Sequence, residues 1–271
     1  MTPELRTASS SRAERQGKVT LDRILAALET HVAGADLGTL SAACGAAPEC
    51  AAIEVEAGIT AGVLERWPFW ADRIRATGER ATPFLAELAT LRRRATPFLQ
   101  IISHSSGWPA TLHLLVPGAH AVVERFPWHG DAAELARERA GYARPRPLRE
   151  GATAMAILAH LPEAARAALL GHEAVEERRD LLESVRAQGY CLRRGTQVAG
   201  SWVLSAPLRT AHGLPYGALC TYGFADLLPP EFAATATATV RQCALDLSQL
   251  ADVPALGQRA QAIIDVLAAP R

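Results

Sequence analysis

Four histidines, His104, His113, His120 and His129, lie close enough together in the chain to raise the question of a metal centre. They are loosely spaced, and no acidic residue accompanies them at the intervals of a ligand set. His113 falls within an apolar strand pattern and the others near turns, so no metal ligand is expected. Ser205 precedes Ala206-Pro207 and does not occupy the sharp strand-to-helix turn that exposes a hydrolase nucleophile. Gly-x-Gly-x-x-Gly, phosphate-loop, His-Glu-x-x-His and Cys-x-x-Cys patterns are all missing. The expectation is therefore a protein without catalytic residues, metal or cofactor, whose chemistry lies in what it binds.

The side chains suited to nucleic acid are Arg66, Arg73 and Arg75, with a second basic run at Arg92-Arg93-Arg94 that reads as a solvated helix face or a secondary phosphate contact. The elements that would carry the first three have the order of a winged helix-turn-helix over residues 20–79. Leu21, Ile24, Leu25 and Leu28 recur at helical spacing. A second helix follows from Leu37 and stops at Gly45, and Pro48-Glu49 can open a third, because proline at the first helical position forgoes no hydrogen bond. Gly58 and Gly62 blur its end, each costing about 1 kcal/mol inside a helix. Two short strands around Trp67-Pro68-Phe69-Trp70 then stand where a wing belongs, their aromatics expected against the first helix or a dimer partner.

In this reading the third helix presents Glu49, Cys50 and Ile53 to the bases while the wing arginines meet phosphate. The charge is unfavourable for that task. Residues 1–80 hold nine basic and eleven acidic side chains, and Glu49, Glu54 and Glu56 lie on the presumed reading helix. Over the whole chain, 28 Lys and Arg balance 28 Asp and Glu, so long-range attraction to nucleic acid gets no help and any contact must be local.

With 271 residues, 49% hydrophobic and 21% charged, the chain is globular and long enough for one large or two modest domains. The N-terminus is polar, and no apolar run approaches the roughly 20 residues of a membrane span. Five scattered cysteines, an odd number, fit buried free thiols in a reducing cytoplasm.

Residues 1–19 read as a mobile arm. Over 80–100, Arg80-Ala81-Thr82-Pro83-Phe84-Leu85 recurs as Arg94-Ala95-Thr96-Pro97-Phe98-Leu99, each threonine placed to cap a helix that the proline opens. This is the expected linker helix. A mixed sheet flanked by helices is expected over 101–250. Strands at 110–116 and 119–125 are joined by Pro117-Gly118, and further strands fall at 190–194, 202–208 and 216–223. Helices are expected at 130–143, 153–161, 162–170, 172–188 and 230–250, with a last amphipathic helix in 251–271.

Several segments carry a family resemblance: Pro147-Leu148-Arg149-Glu150-Gly151-Ala152-Thr153-Ala154-Met155, Gly189-Tyr190-Cys191-Leu192, and Gly200-Ser201-Trp202-Val203-Leu204-Ser205-Ala206-Pro207-Leu208 running on to Gly213 and Gly217-Ala218-Leu219. With Gly62-Val63-Leu64-Glu65-Arg66 and Arg73-Ile74-Arg75 at the wing, the order resembles the IclR-type transcriptional regulators over roughly residues 20–250. The resemblance implies an α/β (α+β) chain made of a winged helix-turn-helix, a linker helix used in dimerisation and a profilin/GAF-like effector-binding domain. It implies homodimers or homotetramers on double-stranded DNA that respond to a small organic effector, often a carboxylate or an aromatic.

The effector-facing positions carry over as Gly151, Ala152, Arg193, Val203, Cys220 and Tyr222. The chain departs from the family in having Arg149, Glu150, Gly151, Ala154 and Met155 where His, Ala, Thr, Gly and Lys are usual, and Thr196 where a glutamate is usual. Either Arg193 and Tyr222 grip a carboxylate or phenol in an otherwise apolar pocket, or Arg193 points to solvent from a strand edge. The expected function is a cytoplasmic, DNA-binding, effector-controlled regulator. The alternative is a ligand sensor or protein-docking module that keeps the fold without binding DNA.

Overall fold

Ile24, Leu25 and Leu28, on one stripe of the first helix (α1, Leu21–Thr30), form the core of the N-terminal unit together with Leu40, Val55, Leu64, Ile74 and Leu85. The computed structural model describes residues 19–79, 81–127, 130–142, 144–195, 200–224 and 230–269. Residues 1–18 of the arm expected over 1–19, together with Arg80, His129 and Thr196, lie outside the described residues. Within α2 (Leu37–Cys44) the Asp36 carboxylate accepts the backbone N–H of Thr39 at 2.7 Å, which lowers its pKa, and Gly45 ends the helix at φ 57°. In α3 (Pro48–Thr60) Pro48 opens the helix. Gly58 stands where a Cβ would come within 2.7 Å of Leu64 Cδ1, so its propensity cost is accepted for close approach of helix and wing.

The wing is an antiparallel pair, β1 (Leu64–Trp67) and β2 (Trp70–Ala76), turning through Pro68-Phe69, with Ile74 bridged to Ala35. Three helices followed by this hairpin make a winged helix-turn-helix. Trp67 and Phe69 are buried edge-to-face with centroids 5.4 Å apart.

The chain divides into two compact units at Ala89–Thr90, inside α4 (Pro83–Ser106). This helix corrects one expectation: Pro97 does not open a second helix but lies within a single one of 24 residues. Thr96 is no cap, since its hydroxyl donates to the carbonyl of Arg92 at 3.1 Å. An interior proline costs about 3 kcal/mol. Burying Leu91, Ala95, Leu99 and Ile102 along one stripe outweighs that, at roughly 1.5–3 kcal/mol per large side chain. The arginine run is also less solvated than expected: Arg92 is buried, and Arg94 Nη1 donates to the carbonyl of Leu250 at 2.5 Å.

The strands of the C-terminal unit are β3 (Ala110–Val116), β4 (Ala119–Phe126), β5 (Arg146–Pro147), β6 (Cys191–Arg194), β7 (Ser201–Arg209) and β8 (Pro215–Phe224). They form a six-stranded sheet in the order β5-β4-β3-β8-β7-β6, antiparallel at every pairing and not the mixed sheet expected. Pro117-Gly118 makes the expected hairpin, Gly118 at φ 66°, and sets the register Val116↔Ala119. Helices α5 (Ala132–Tyr142), α6 (Ala152–Leu158), α7 (Glu163–Leu170), α8 (His172–Glu177), α9 (Arg179–Gln188), α10 (Pro230–Leu250) and α11 (Pro254–Ala268) complete it.

The helix expected over 172–188 is two, broken where Arg178 takes φ −104°, ψ 5°. Nothing in the residue types there marks the break. Arg146 and Pro147 pair with the edge of β4. Cys44, Cys191, Cys220 and Cys243 are buried thiols, whereas Cys50 is exposed. Among the described residues no helix is long and apolar enough to cross a membrane.

Candidate ligand cavity and candidate DNA-reading face

Residues paired across antiparallel strands point to one face of the sheet. The register Val203↔Tyr222, Ser205↔Cys220, Thr111↔Cys220 therefore gathers Val203, Tyr222, Cys220 and Thr111 on one side. A β-bulge follows in β4: Leu112 pairs with Glu124 but His113 with Val122, leaving Val123 as the extra residue. The shift turns both His120 and Arg125 toward the face that carries His113 and Thr111. Asp131 caps α5 by accepting the N–H of Glu134 at 2.8 Å, and Glu134, Glu138 and Tyr142 then fall on one stripe of that helix.

Sheet face and helix enclose a cavity of about 520 Å³, walled also by Trp108, Arg137, Arg146, Thr153 and Phe224. Trp108 lies over Gly223, where a Cβ would come within 2.6 Å of its ring.

One wall is a hydrogen-bond chain. Tyr142 OH donates to Tyr222 OH at 2.7 Å, and Tyr222 OH donates to Glu138 Oε1 at 2.5 Å. Arg125, 1% exposed, places Nε 2.5 Å from Glu138 Oε2 and also donates to the carbonyl of Pro127. Burial pushes the Glu138 carboxyl above its ordinary value while Tyr222 and Arg125 pull it back. Burial, then the neighbouring Glu138, raises the Tyr142 phenol, and burial raises Tyr222 as well, so both stay protonated near neutrality.

The histidines line the same cavity from β3 and β4. Thr111 Oγ1 lies 2.9 Å from His113 Nε2, and His113 Nδ1 lies 3.0 Å from His120 Nδ1. Burial drives both imidazoles down, His120 to about 3, with His120 and Arg146 adding repulsion at His113 and Arg146 at His120. Both rings are neutral at physiological pH. Arg146, paired with His120 across β5 and β4, sets its guanidinium 5.8 Å from the Tyr142 ring centroid and donates to the carbonyl of Gly141 at 3.4 Å. Burial likewise lifts the Cys220 thiol to about 11, which leaves it a protonated, small apolar wall group.

Of the positions carried over by resemblance, Val203, Cys220 and Tyr222 line this cavity, while Gly151, Ala152 and Arg193 do not. Gly151 is the N-terminal flank of α6 at φ 88°, and Ala152 is buried in its first turn, leaving Thr153 as the α6 residue that reaches the wall. Arg193 sits on edge strand β6 opposite Val203, so the register puts it on the face of Val203 and Tyr222, roughly 9–10 Å from Tyr222 in backbone spacing. It is not among the residues that line the cavity.

Of the polar residues that do surround the cavity, Glu138, Tyr142 and Arg146 carry no sequence signal, and His113 and His120 stand out in the sequence only as candidate metal ligands. For the histidines a signal existed. A two-residue turn at Pro117-Gly118 places 115 opposite 120, and positions 113 and 120 are then diagonal neighbours on one face.

On the head, the exposed side of α3 carries Glu49, Cys50, Glu56 and Ile53, the last 70% exposed. The wing arginines are engaged within the unit. Arg66 forms an ion pair with Glu56. Arg73 donates to the carbonyl of Gly34 at 2.9 Å and stacks on Trp70 at 4.4 Å. Arg75, only 5% exposed, pairs with Glu65 at 3.0 Å and lies 5.0 Å from the Trp67 ring centroid. Arg66 and Arg73 thus remain at the surface of the wing, and Arg75 is a prop beneath it.

No family model and no curated protein matches the sequence. Solved structures do match its fold. An IclR transcriptional regulator from Alicyclobacillus acidocaldarius is 16% identical, with a TM-score of 0.56 over 85% of this chain and 96% of its own. An IclR homologue from Microbacterium hydrocarbonoxydans, solved in complex with 4-hydroxybenzoate, is 21% identical, with a TM-score of 0.53 over 84% of this chain and 97% of its own. The chain has the two-part fold of the IclR-type regulators.

Proposed function

We propose that this protein is a cytoplasmic, ligand-responsive transcriptional regulator of the IclR type, working as a homodimer or homotetramer. The observation that carries the reading is the cavity of about 520 Å³, a volume suited to a small organic molecule, with aromatic walls and a few convergent polar groups. Trp108, Tyr142, Tyr222 and Phe224 supply flat apolar surface, and Arg146 a cation. An aromatic or short-chain organic acid suits that combination, and the 4-hydroxybenzoate bound by the Microbacterium homologue belongs to the same class.

The winged head delivers the output to double-stranded DNA. Glu49, Cys50 and Ile53 face the bases, and Arg66 and Arg73 meet phosphate, with Arg66 exchanging Glu56 for the backbone. Arg75 supports the wing from beneath. Ligand control requires that the effector prefer one arrangement of two heads over another. The test is binding of the full chain to its own upstream DNA at low and physiological salt, with and without a panel of aromatic and short-chain acids. Sequence-selective binding altered by an acid is expected; no sequence preference at either salt refutes DNA output.

A second reading is favoured by the head's charge. The exposed acidic and apolar face of α3, together with arginines that already have partners, suits docking to a protein better than docking to phosphate. Acid binding without any DNA selectivity decides for it.

A further inference from the structure

The His120–Arg146 corner of the cavity holds an imidazole nitrogen that has no hydrogen-bond partner among the described residues. His120 is 2% exposed and lines the cavity. Its Nδ1 is taken by His113, and its Nε2 is buried with no hydrogen-bond partner among the described residues. Arg146 is its cross-strand partner and lines the same cavity, close enough for its charge to disfavour protonation of the ring. Two neutral rings meeting Nδ1 to Nδ1 share a single proton on that line, which makes the donor or acceptor character of Nε2 depend on the whole chain back to Thr111.

We propose that His120 and Arg146 form a carboxylate-binding subsite, with Thr111 and His113 positioning the imidazole of His120 as the hydrogen-bond donor. This rests on the ligand-cavity reading above and adds the subsite and the order of its protons. With a carboxylate bound, Thr111 Oγ1–H donates to His113 Nε2, His113 Nδ1–H donates to His120 Nδ1, and His120 Nε2–H donates to one carboxylate oxygen. Arg146 supplies the positive charge, which neither imidazole can, because burial keeps both neutral. All donors in the chain run the same way, so each bond polarises the next. Without an anion the chain can run in reverse and leave Nε2 a bare acceptor. The anion selects the direction.

The ring beside the carboxylate lies against the aromatic side chains of the cavity, Tyr142 and Trp108 among them. The class is therefore a carboxylic acid on a flat ring.

The test is calorimetry of the full chain with benzoate, 4-hydroxybenzoate and the uncharged benzamide, on the wild type and on His120→Phe, Arg146→Gln and Thr111→Val. Both acids are expected to weaken about tenfold or more in His120→Phe and Arg146→Gln, with benzamide much less affected. Thr111→Val, which keeps shape and removes the first donor, is expected to lose about threefold by interrupting the polarised chain. Nitrogen-15 histidine spectra of the benzoate complex are expected to show His113 protonated at Nδ1 and His120 at Nε2. Equal affinity for benzoate in wild type and His120→Phe, or the opposite tautomers, overturns the subsite and leaves the cavity reading standing. Binding of benzamide but of neither acid does the same. A chain that binds none of the three overturns both.

Discussion

Lowering the pH should loosen the C-terminal unit through His120, and the size of the effect follows from its burial. The imidazole titrates near 6.5 when solvated and near 3 in the folded protein, where desolvation and the adjacent Arg146 disfavour the cation. The folded-state pKa is depressed for a base, so the folded chain binds fewer protons than the unfolded one between those values. Its stabilising contribution is therefore complete above about pH 6.5 and is lost as pH falls toward 3. At 1.36 kcal/mol per pKa unit, His120 alone accounts for about 2 kcal/mol lost between pH 7 and pH 5.

Pulse proteolysis of the full chain in urea, with a protease active at both pH values, reads the C-terminal unit separately from the head. Comparing the wild type with His120→Gln cancels whatever the substitution costs at neutral pH. The wild type should lose about 2 kcal/mol more than the variant between pH 7 and pH 5. Identical losses, or a nitrogen-15 titration placing the His120 midpoint at or above 6, refute the argument that the pair is buried neutral.

Other expectations follow from single contacts. A Cβ at Gly217 would lie 2.3 Å from the backbone oxygen of His113, so Gly217→Ala must spread β3 from β8, and thermal melts should show a loss above about 2 kcal/mol. Glu138→Ala takes the carboxylate from an Arg125 that is 1% exposed, and denaturation should show a cost of about 3–5 kcal/mol. In the head, Arg75→Ala should destabilise by about 2 kcal/mol through lost packing on Trp67 and the Glu65 pair. Arg66→Ala, in an exposed pair, should stay within about 0.5 kcal/mol, yet weaken DNA binding with a shallower salt dependence if the head reads DNA.

The parts of this fold written in local residue types were legible from the chain. Gly45 stops α2, Pro48 opens α3, and Pro117-Gly118 fixes a hairpin, each because backbone geometry demands that residue there. Where tertiary burial competes with local preference, the sequence misleads. Pro97 reads as a helix start until the buried stripe Leu91, Ala95, Leu99 and Ile102 shows why the helix continues through it. The cavity was half visible. Val203, Cys220 and Tyr222 came only with the resemblance to the IclR-type regulators, and the extra residue Val123, which turns His120 and Arg125 to the same face, has no sequence mark. Nor does anything near Glu138 and Tyr142 announce that α5 will lie across Tyr222. Such contacts arise from the assembly of the sheet and are absent from any window along the chain.

The claim that the enclosed space on the sheet face is where this protein receives a small molecule can be tested by filling it. Val203 lines the cavity opposite Tyr222 in the strand register, and Val203→Trp places an indole in the space a ligand would take. Titration of aromatic acids into wild type and variant should show binding to the first and a loss of about a hundredfold or more in the second. An acid that binds both with the same affinity places the receiving site elsewhere and contradicts the account.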